Sequence, residues 1–177
     1  MTAAFSPLIL TAELDRASFE WFDVLRREHF PPERNVVPAH LTLFHALAGD
    51  ALERIADTLG ETAASTPVIE AEVSGVRFLG RGVAFDIRSP KLIGVRAALA
   101  QQWADQLTPQ DRAAYRPHVT IQNKVEPERA RALHHKLQHE FRPFEVRIPG
   151  LLLWRYLGGP WGAEGRFALH GDADQRS

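Results

Sequence analysis

Two short segments of this chain share one pattern, in which a histidine and a threonine alternate with apolar residues. Residues 38–43 read PAHLTL and residues 116–121 read RPHVTI, in a chain of 177 residues. Successive side chains of a β-strand point to opposite faces, so a strand of this pattern carries His and Thr on one face and apolar residues on the other. Each segment is therefore predicted to be a strand that places a polar pair over an apolar core.

The elements around these two segments repeat in the same order, at a nearly constant offset along the chain. Hydrophobic periodicity predicts each element, and the order in each copy is strand, helix, histidine strand, helix and β-rich run. The first copy comprises residues 8–14, 15–29, 39–47, 50–64 and 68–79. The second copy comprises residues 83–88, 90–107, 118–124, 126–141 and 144–156. We interpret the pattern as an internal duplication with repeat units of about 6–82 and 83–161.

A duplicated unit of this kind predicts an α+β fold with two lobes. Each lobe is expected to be a sheet covered on one face by its helices, so that the two uncovered faces meet as a groove. No linker rich in Gly, Ser or Pro separates the copies. We therefore expect one bilobal domain over residues 1–170, followed by a frayed tail at 171–177.

Composition and charge exclude several classes of protein. The chain has no cysteine, which rules out disulfides and thiolate metal sites, and its net charge of −1 does not suit binding to duplex DNA. No apolar run is long enough to cross a membrane, and the amino terminus lacks the pattern of a secretory signal. No phosphate loop or dinucleotide fingerprint is present, so no cofactor is predicted. We expect a cytoplasmic monomer that does not bind a membrane.

The chemistry of the two segments follows from their residue types. Histidine is the side chain that donates or accepts a proton near neutral pH, so His40 and His118 facing each other can act as acid and base. Thr42 and Thr120, on the same faces, can donate hydrogen bonds to phosphate oxygens. A single histidine in an apolar strand is more typical of a hydrogen-bonded core residue. Its repetition at equivalent places favours a catalytic pair, although the sequence does not tell which histidine is the acid.

Neighbouring residues are predicted to bind the substrate in the groove. Strand alternation puts Phe44 on the face of Thr42, and Gln122 and Lys124 on the face of Thr120. The aromatic and basic residues near the strands add candidates for stacking a base or binding phosphate, namely Tyr115, Arg116 and Trp154.

The remaining histidines carry weaker signals. His45 is out of phase with His40 and is predicted to face the opposite way. His134, His135 and His139 lie on the predicted helix 126–141, where we expect a solvated helix face and no metal site.

The paired segments resemble the two motifs of the two-histidine phosphoesterase superfamily, and within it the bacterial 2′-5′ RNA ligase-like, or cyclic phosphodiesterase, proteins. Residues 157–161, LGGPW, are similar to the closing turn of that family. The resemblance implies antiparallel sheets lining a central groove with pseudo-two-fold symmetry. It also implies metal-independent chemistry on 2′,3′-cyclic phosphates or 2′-5′ phosphodiester bonds of RNA ends or small nucleotides, with possible reversal as ligation. His40 and His118 would be the catalytic pair, and Thr42 and Thr120 the phosphate-binding hydroxyls.

Two other functions stay open from the sequence. A non-catalytic protein could use the same groove to bind an RNA end or the phosphate of a nucleotide. A metal-dependent hydrolase could use the cluster of His134, His135 and His139, and it would lose activity with a chelator.

Overall fold

The strands of the computed structural model form one antiparallel sheet. The structure describes residues 6–170, and the predicted frayed tail, 171–177, lies outside the described residues. The eight strands are β1 (Leu8–Glu13), β2 (Leu41–Leu47), β3 (Ile69–Phe78), β4 (Val83–Arg88), β5 (His118–Gln122), β6 (Phe144–Ile148), β7 (Gly150–Tyr156) and β8 (Trp161–Ala168). They pair in the order β6-β3-β4-β5-β2-β1-β7-β8.

Three of the five α-helices begin at a residue whose side chain satisfies a free amide group of the first turn. They are α1 (Arg16–His29), α2 (Leu52–Ala64), α3 (Pro90–Gln102), α4 (Pro109–Arg112) and α5 (Pro127–Glu140). Asp15, Ser89 and Thr108 accept a hydrogen bond from the first turn of α1, α3 and α4, as N-caps do. In one half of the sheet α1 packs on β5 and α5 on β3, and in the other half α2 packs on β7 and β8. The residues described include no helix that is long and apolar enough to span a bilayer.

The α+β class is confirmed, and the described residues contain one sheet where two were expected. Two four-stranded halves, β6-β3-β4-β5 and β2-β1-β7-β8, meet at the pairing of β2 with β5. That seam is short, because Leu41 and Val119 are the register partners that join the two strands. The sheet is thus continuous in hydrogen bonding, although its halves have the pseudo-symmetric strand order that the duplication predicts.

Each half of the sheet contains strands from both predicted repeat units. β3 of the first unit pairs with β4 of the second, and β7 of the second unit pairs with β1 of the first. The predicted β-rich run 144–156 is two strands, because Pro149 lacks an amide hydrogen and interrupts the ladder. β6 then pairs with β3 at one edge, while β7 lies in the other half. β8 was not predicted, and α3 ends at Gln102 instead of near Leu107.

Each histidine strand contains a β-bulge just after its threonine. Thr11 and Leu10 of β1 oppose Thr42 and Phe44 of β2, so one residue of β2 is extra. Ala84 and Val83 of β4 oppose Thr120 and Gln122 of β5 in the same way. An extra residue reverses the faces of the side chains that follow it. In β2 a second register shift between Phe44 and Leu47 restores the original alternation, and Leu47 is buried as alternation predicts. Strand alternation therefore misplaces the side chains that come directly after each bulge.

Candidate active site

The two His-x-Thr segments cross at the seam between β2 and β5. Leu41 and Val119 are paired and fully buried on the core face. In an antiparallel pair the flanking residues then oppose each other, so His40 lies beside Thr120 and His118 beside Thr42. All four polar side chains project from the face opposite the core and line one pocket of about 360 Å³. The seam brings together the four groups that the sequence motifs contain.

His40 and His118, the two candidate catalytic histidines, are each held by a hydrogen bond of the same kind. Nδ1 of His40 lies 2.8 Å from the Pro38 carbonyl oxygen, and Nδ1 of His118 lies 2.8 Å from the Arg116 carbonyl oxygen. A carbonyl oxygen can only accept, so Nδ1 carries the proton in each neutral ring. Nε2 is left as the nitrogen that can exchange a proton with a bound molecule.

The two rings differ in their electrostatic surroundings. Burial lowers the pKa of His40 from 6.5 to about 4, opposed by the Pro38 carbonyl and assisted by the nearby Arg26 guanidinium. Burial also lowers the pKa of His118; the Arg116 carbonyl opposes that shift, and the charges of Arg77 and Asp86 act in opposite directions, Arg77 lowering the pKa and Asp86 raising it. Asp86 is the register partner of His118 on β4. His40 therefore favours the neutral form more strongly than His118 does.

The pocket is flanked by an ionic group on one side and aromatic rings on the other. Arg77 of β3 pairs with Asp86 beside His118. The Trp161 ring packs on His40 with 4.7 Å between ring centroids, and Trp154 lies 6.1 Å from Trp161. His40 and Trp161 also line an adjoining cleft of about 550 Å³, whose walls are mainly apolar. The second cleft continues the first along the half of the sheet that contains β1 and β7.

Two of the six predicted substrate-binding residues lie in the core instead of the groove. Phe44 is fully buried, with its ring 5.2 Å from that of Trp103, and Gln122 is 1% exposed. Both follow the bulges described above, which turn them away from the pocket. The groove placement of Phe44 and Gln122 predicted by strand alternation is therefore wrong.

The other four predicted substrate-binding residues are spread over different surfaces. Tyr115 and Arg116 line the pocket, and the Tyr115 hydroxyl donates to the Thr42 carbonyl at 2.8 Å. Trp154 lies in the adjoining cleft, where its Nε1 donates to Thr11 Oγ1 at 3.0 Å. Lys124 is exposed beyond the end of β5, at a φ of 61°, and it is not among the residues that line either cleft in the part of the chain described.

Several pocket residues were missed by the sequence reasoning. His45 faces the pocket, contrary to its predicted orientation, because it follows the bulge in β2. Asp111 is buried and accepts from the amides of His45 and Ala46 at 2.9 to 3.0 Å. These contacts join α4 to β2, and nothing in the local sequence marks Asp111 as different from a surface helix residue.

Two buried arginines support the histidine strands from the helix side. Arg26 of α1 donates to the Thr120 carbonyl at 2.8 Å, and Arg96 of α3 donates to the Leu43 carbonyl at 3.2 Å. Burial lowers the pKa of Arg26 to about 10. Each arginine lies on the buried stripe of its helix, at four-residue spacing from Phe22 and Leu92. A cation on an apolar stripe is the signal that could have identified both residues.

The histidines of α5 lie apart from this pocket. His134 Nε2 is 3.2 Å from the Val76 carbonyl, whereas His135 and His139 are exposed. Over residues 6–170, no group of three or more side chains of the metal-ligating types is placed to hold a metal ion.

The fold and the pocket define an α+β protein with two crossed His-x-Thr pairs. The chain matches the model of the 2′-5′ RNA ligase superfamily over residues 14–160. LigT of E. coli, solved in complex with 3′-AMP, is similar at 21% identity and a TM-score of 0.63, over 93% of this chain and 98% of that chain. TT0787 of Thermus thermophilus is similar at 17% identity and a TM-score of 0.61, over 94% and 99%. No match was found among curated proteins.

The chain belongs to the 2′-5′ RNA ligase superfamily. This membership confirms the resemblance to the two-histidine phosphoesterase superfamily. The structural similarities, all below 25% identity, bear on the fold alone.

Proposed function

We propose that the protein hydrolyses a 2′,3′-cyclic phosphate or a 2′-5′ phosphodiester bond of a small nucleotide or RNA end. The observation that carries the proposal is the crossing of the two His-x-Thr segments at the Leu41–Val119 pair. It supports one phosphate lying between two imidazoles and two hydroxyls. The fixed Nδ1 bonds leave both Nε2 atoms for proton transfer.

His40 is proposed as the general base for hydrolysis. Its neutral form is favoured by burial and by Arg26, so Nε2 can accept a proton from water as the water oxygen attacks phosphorus. Trp161 against the ring limits the access of bulk solvent.

His118 is proposed as the general acid. The Asp86 carboxylate beside it favours the imidazolium, whose Nε2 gives a proton to the ribose oxygen as its bond to phosphorus breaks. The product is a phosphomonoester and a free hydroxyl. With a 5′-hydroxyl in place of water as the nucleophile on a 2′,3′-cyclic phosphate, the same two proton transfers would form a 2′-5′ bond and release the 3′-hydroxyl.

The threonines are proposed to hold the phosphate during this exchange. Thr42 and Thr120 flank the seam and can donate to the two non-bridging oxygens, where charge accumulates in the transition state. Tyr115, which fixes the Thr42 carbonyl, supports the strand beneath this contact.

The rest of the substrate is proposed to lie in the adjoining cleft. The polar side chains there are engaged: Glu13 pairs with Arg166, and Thr11 accepts from Trp154. The surface that remains is aromatic and aliphatic, which suits a base stacked near Trp154 and Trp161. LigT, crystallised with 3′-AMP, supports a small nucleotide as the first substrate class to test.

The test is a panel of 2′,3′-cyclic nucleotides, 2′-5′ dinucleotides and RNA ends bearing a cyclic phosphate. We expect turnover of at least one class, undiminished by EDTA, and its loss in both His40→Ala and His118→Ala. Binding without turnover throughout the panel would instead identify a phosphate-binding protein. Turnover at the wild-type rate in either single variant would contradict the two-histidine mechanism.

A further inference from the structure

His45 is a third imidazole in the proposed catalytic pocket. It follows the bulge in β2, which turns its side chain to the same side as His40 and Thr42. Its side chain is 43% exposed, so it is open to a bound molecule. Burial is the main cause of the lowered pKa of both His40 and His118, and a charge on His45 lowers both further, in keeping with the place of the three rings in one pocket.

Asp111 fixes the orientation of this ring. Its Oδ1 lies 3.1 Å from His45 Nδ1, and its carboxylate also accepts from the backbone amides of His45 and Ala46. Burial acts to raise the pKa of Asp111, but the hydrogen bonds from His45 and Ala46 outweigh it and the pKa is lowered. An ionised Asp111 can only accept, so Nδ1 of His45 is the donor and Nε2 is free to meet a ligand.

We propose that His45 is a third substrate-contacting residue, which donates a hydrogen bond from Nε2 to a phosphate oxygen when its ring is protonated. The proposal rests on the phosphate position in the proposed function. Asp111 stabilises the imidazolium through Nδ1, and a charge-assisted bond to phosphate is stronger than one from a neutral donor. His45 then supplies a donor to the phosphate beyond the two threonines, at the side of the pocket closed by α4.

The proposal fixes the direction in which phosphate binding depends on pH. Only the protonated ring donates from Nε2, so phosphate binding by His45 takes up a proton, and phosphate affinity falls as the pH rises. The other titratable or charged groups that line the pocket are His40, His118, Asp111, Arg77, Arg96, Arg116 and Tyr115.

The direct test measures the ring signals of all histidines by NMR, with and without saturating inorganic phosphate. The signal of His45 is identified by its loss in His45→Gln. We expect its pKa to rise by about one unit with phosphate, which corresponds to about tenfold tighter binding by the protonated ring. A His45 midpoint that does not move, or an absence of phosphate binding, would overturn the proposal.

Two variants of His45 distinguish a residue that donates a hydrogen bond to the substrate from one that has only a structural role. His45→Asn can keep a bond to Asp111 but is too short to reach phosphate, whereas His45→Gln can present a neutral amide donor. With a substrate that turns over, we expect KM to rise about tenfold in the Asn variant with kcat within about threefold. The KM of the Gln variant should lie between those of the wild type and the Asn variant, and it should not show the pH dependence of the wild-type KM. An equal rise of KM in both variants, with an unchanged pH profile, would indicate that His45 only supports the fold.

The proposed function and this inference can fail separately. A chain that turns over no phosphodiester but shows the His45 shift would have a phosphate site without the proposed activity. Turnover without any shift at His45 would keep the function and overturn this inference.

Discussion

The histidine strands β2 and β5 share their local geometry and differ in what surrounds them. In each, Nδ1 donates to the carbonyl two residues earlier, and a bulge follows the threonine. Around β2, however, Trp161 packs on His40 and His45 enters the pocket. Beside β5, His118 has the Arg77–Asp86 ion pair as its neighbour. The two strands therefore present imidazoles in the same local geometry, and the non-equivalent neighbours give these imidazoles different proton affinities.

This difference is what makes one ring suitable as base and the other as acid. Two histidines in identical surroundings would titrate together, and the state with one neutral and one charged would have no preferred direction. An aromatic, dry environment disfavours the charged form, whereas a neighbouring carboxylate favours it. The asymmetry also gives the groove an aromatic end and an ionic end.

The largest effect is expected from removing each histidine in turn. His40→Gln and His118→Gln should each lower kcat/KM by about 10²–10⁴, because each removes one proton transfer. The wild-type profile should be bell-shaped, with an acid limb near pH 4 from His40 and a decline that begins below pH 6.5 from His118. The His40 variant should lose the acid limb and the His118 variant the alkaline limb. Loss of the same limb in both variants would contradict the assignment of acid and base.

A smaller effect, on stability, is expected from replacing Arg26, the buried arginine that donates to the backbone of β5. Arg26→Met leaves the Thr120 carbonyl and Asn35 without their donor, which should lower the free energy of unfolding by about 1–3 kcal/mol. Chemical denaturation measures this change. The control is Arg27→Met on the same helix, whose side chain is 65% exposed and whose loss should cost less than about 0.5 kcal/mol. Equal losses would show that Arg26 does not support β5 in the proposed way.

Trp161→Ala tests the aromatic side of the comparison. Opening His40 to water should raise its pKa toward 6.5, since burial is the main cause of the low value. The acid limb of kcat/KM should then move to higher pH, while the alkaline limb stays in place. Phe78→Ala removes an exposed ring in the other half of the sheet and should move neither limb. An unchanged acid limb in Trp161→Ala would exclude the ring as the cause of the asymmetry.

The smallest effect is expected on stability from Phe44 and Gln122, the buried residues that follow the bulges in β2 and β5. Phe44→Leu should lower the free energy of unfolding by about 1–2 kcal/mol, because the ring packs on Trp103 and under Arg96. Gln122→Leu should change it by less than about 1 kcal/mol, or raise it, since the buried Gln122 Oε1 has no partner among the described residues. Thermal denaturation of both variants measures the difference. A larger loss at Gln122 would show that its amide has a structural role.

The sequence predicted the parts of the fold that depend on local periodicity. Alternation in β2 and β5 correctly placed His40, Thr42, His118 and Thr120 opposite the apolar residues. The order of helices and strands was correct through α3, and the short helix α4 after it was not predicted. The run 144–156 is β-rich as predicted, but the sequence did not reveal that its two parts, β6 and β7, pair in different halves of the sheet. Phe44, Gln122 and His45 were misplaced because a bulge depends on the register with a neighbouring strand, which a single strand does not reveal.

The sequence by itself determined the family, the α+β class and the duplicated pair of histidines and threonines, because a motif and its spacing are properties of the chain. The tertiary structure decided which groups surround that pair. Asp111 meets His45, Asp86 meets His118 and Trp161 meets His40 through contacts between elements far apart in the chain. Proton affinity depends on burial and on nearby charge, and both are fixed only when those elements pack together.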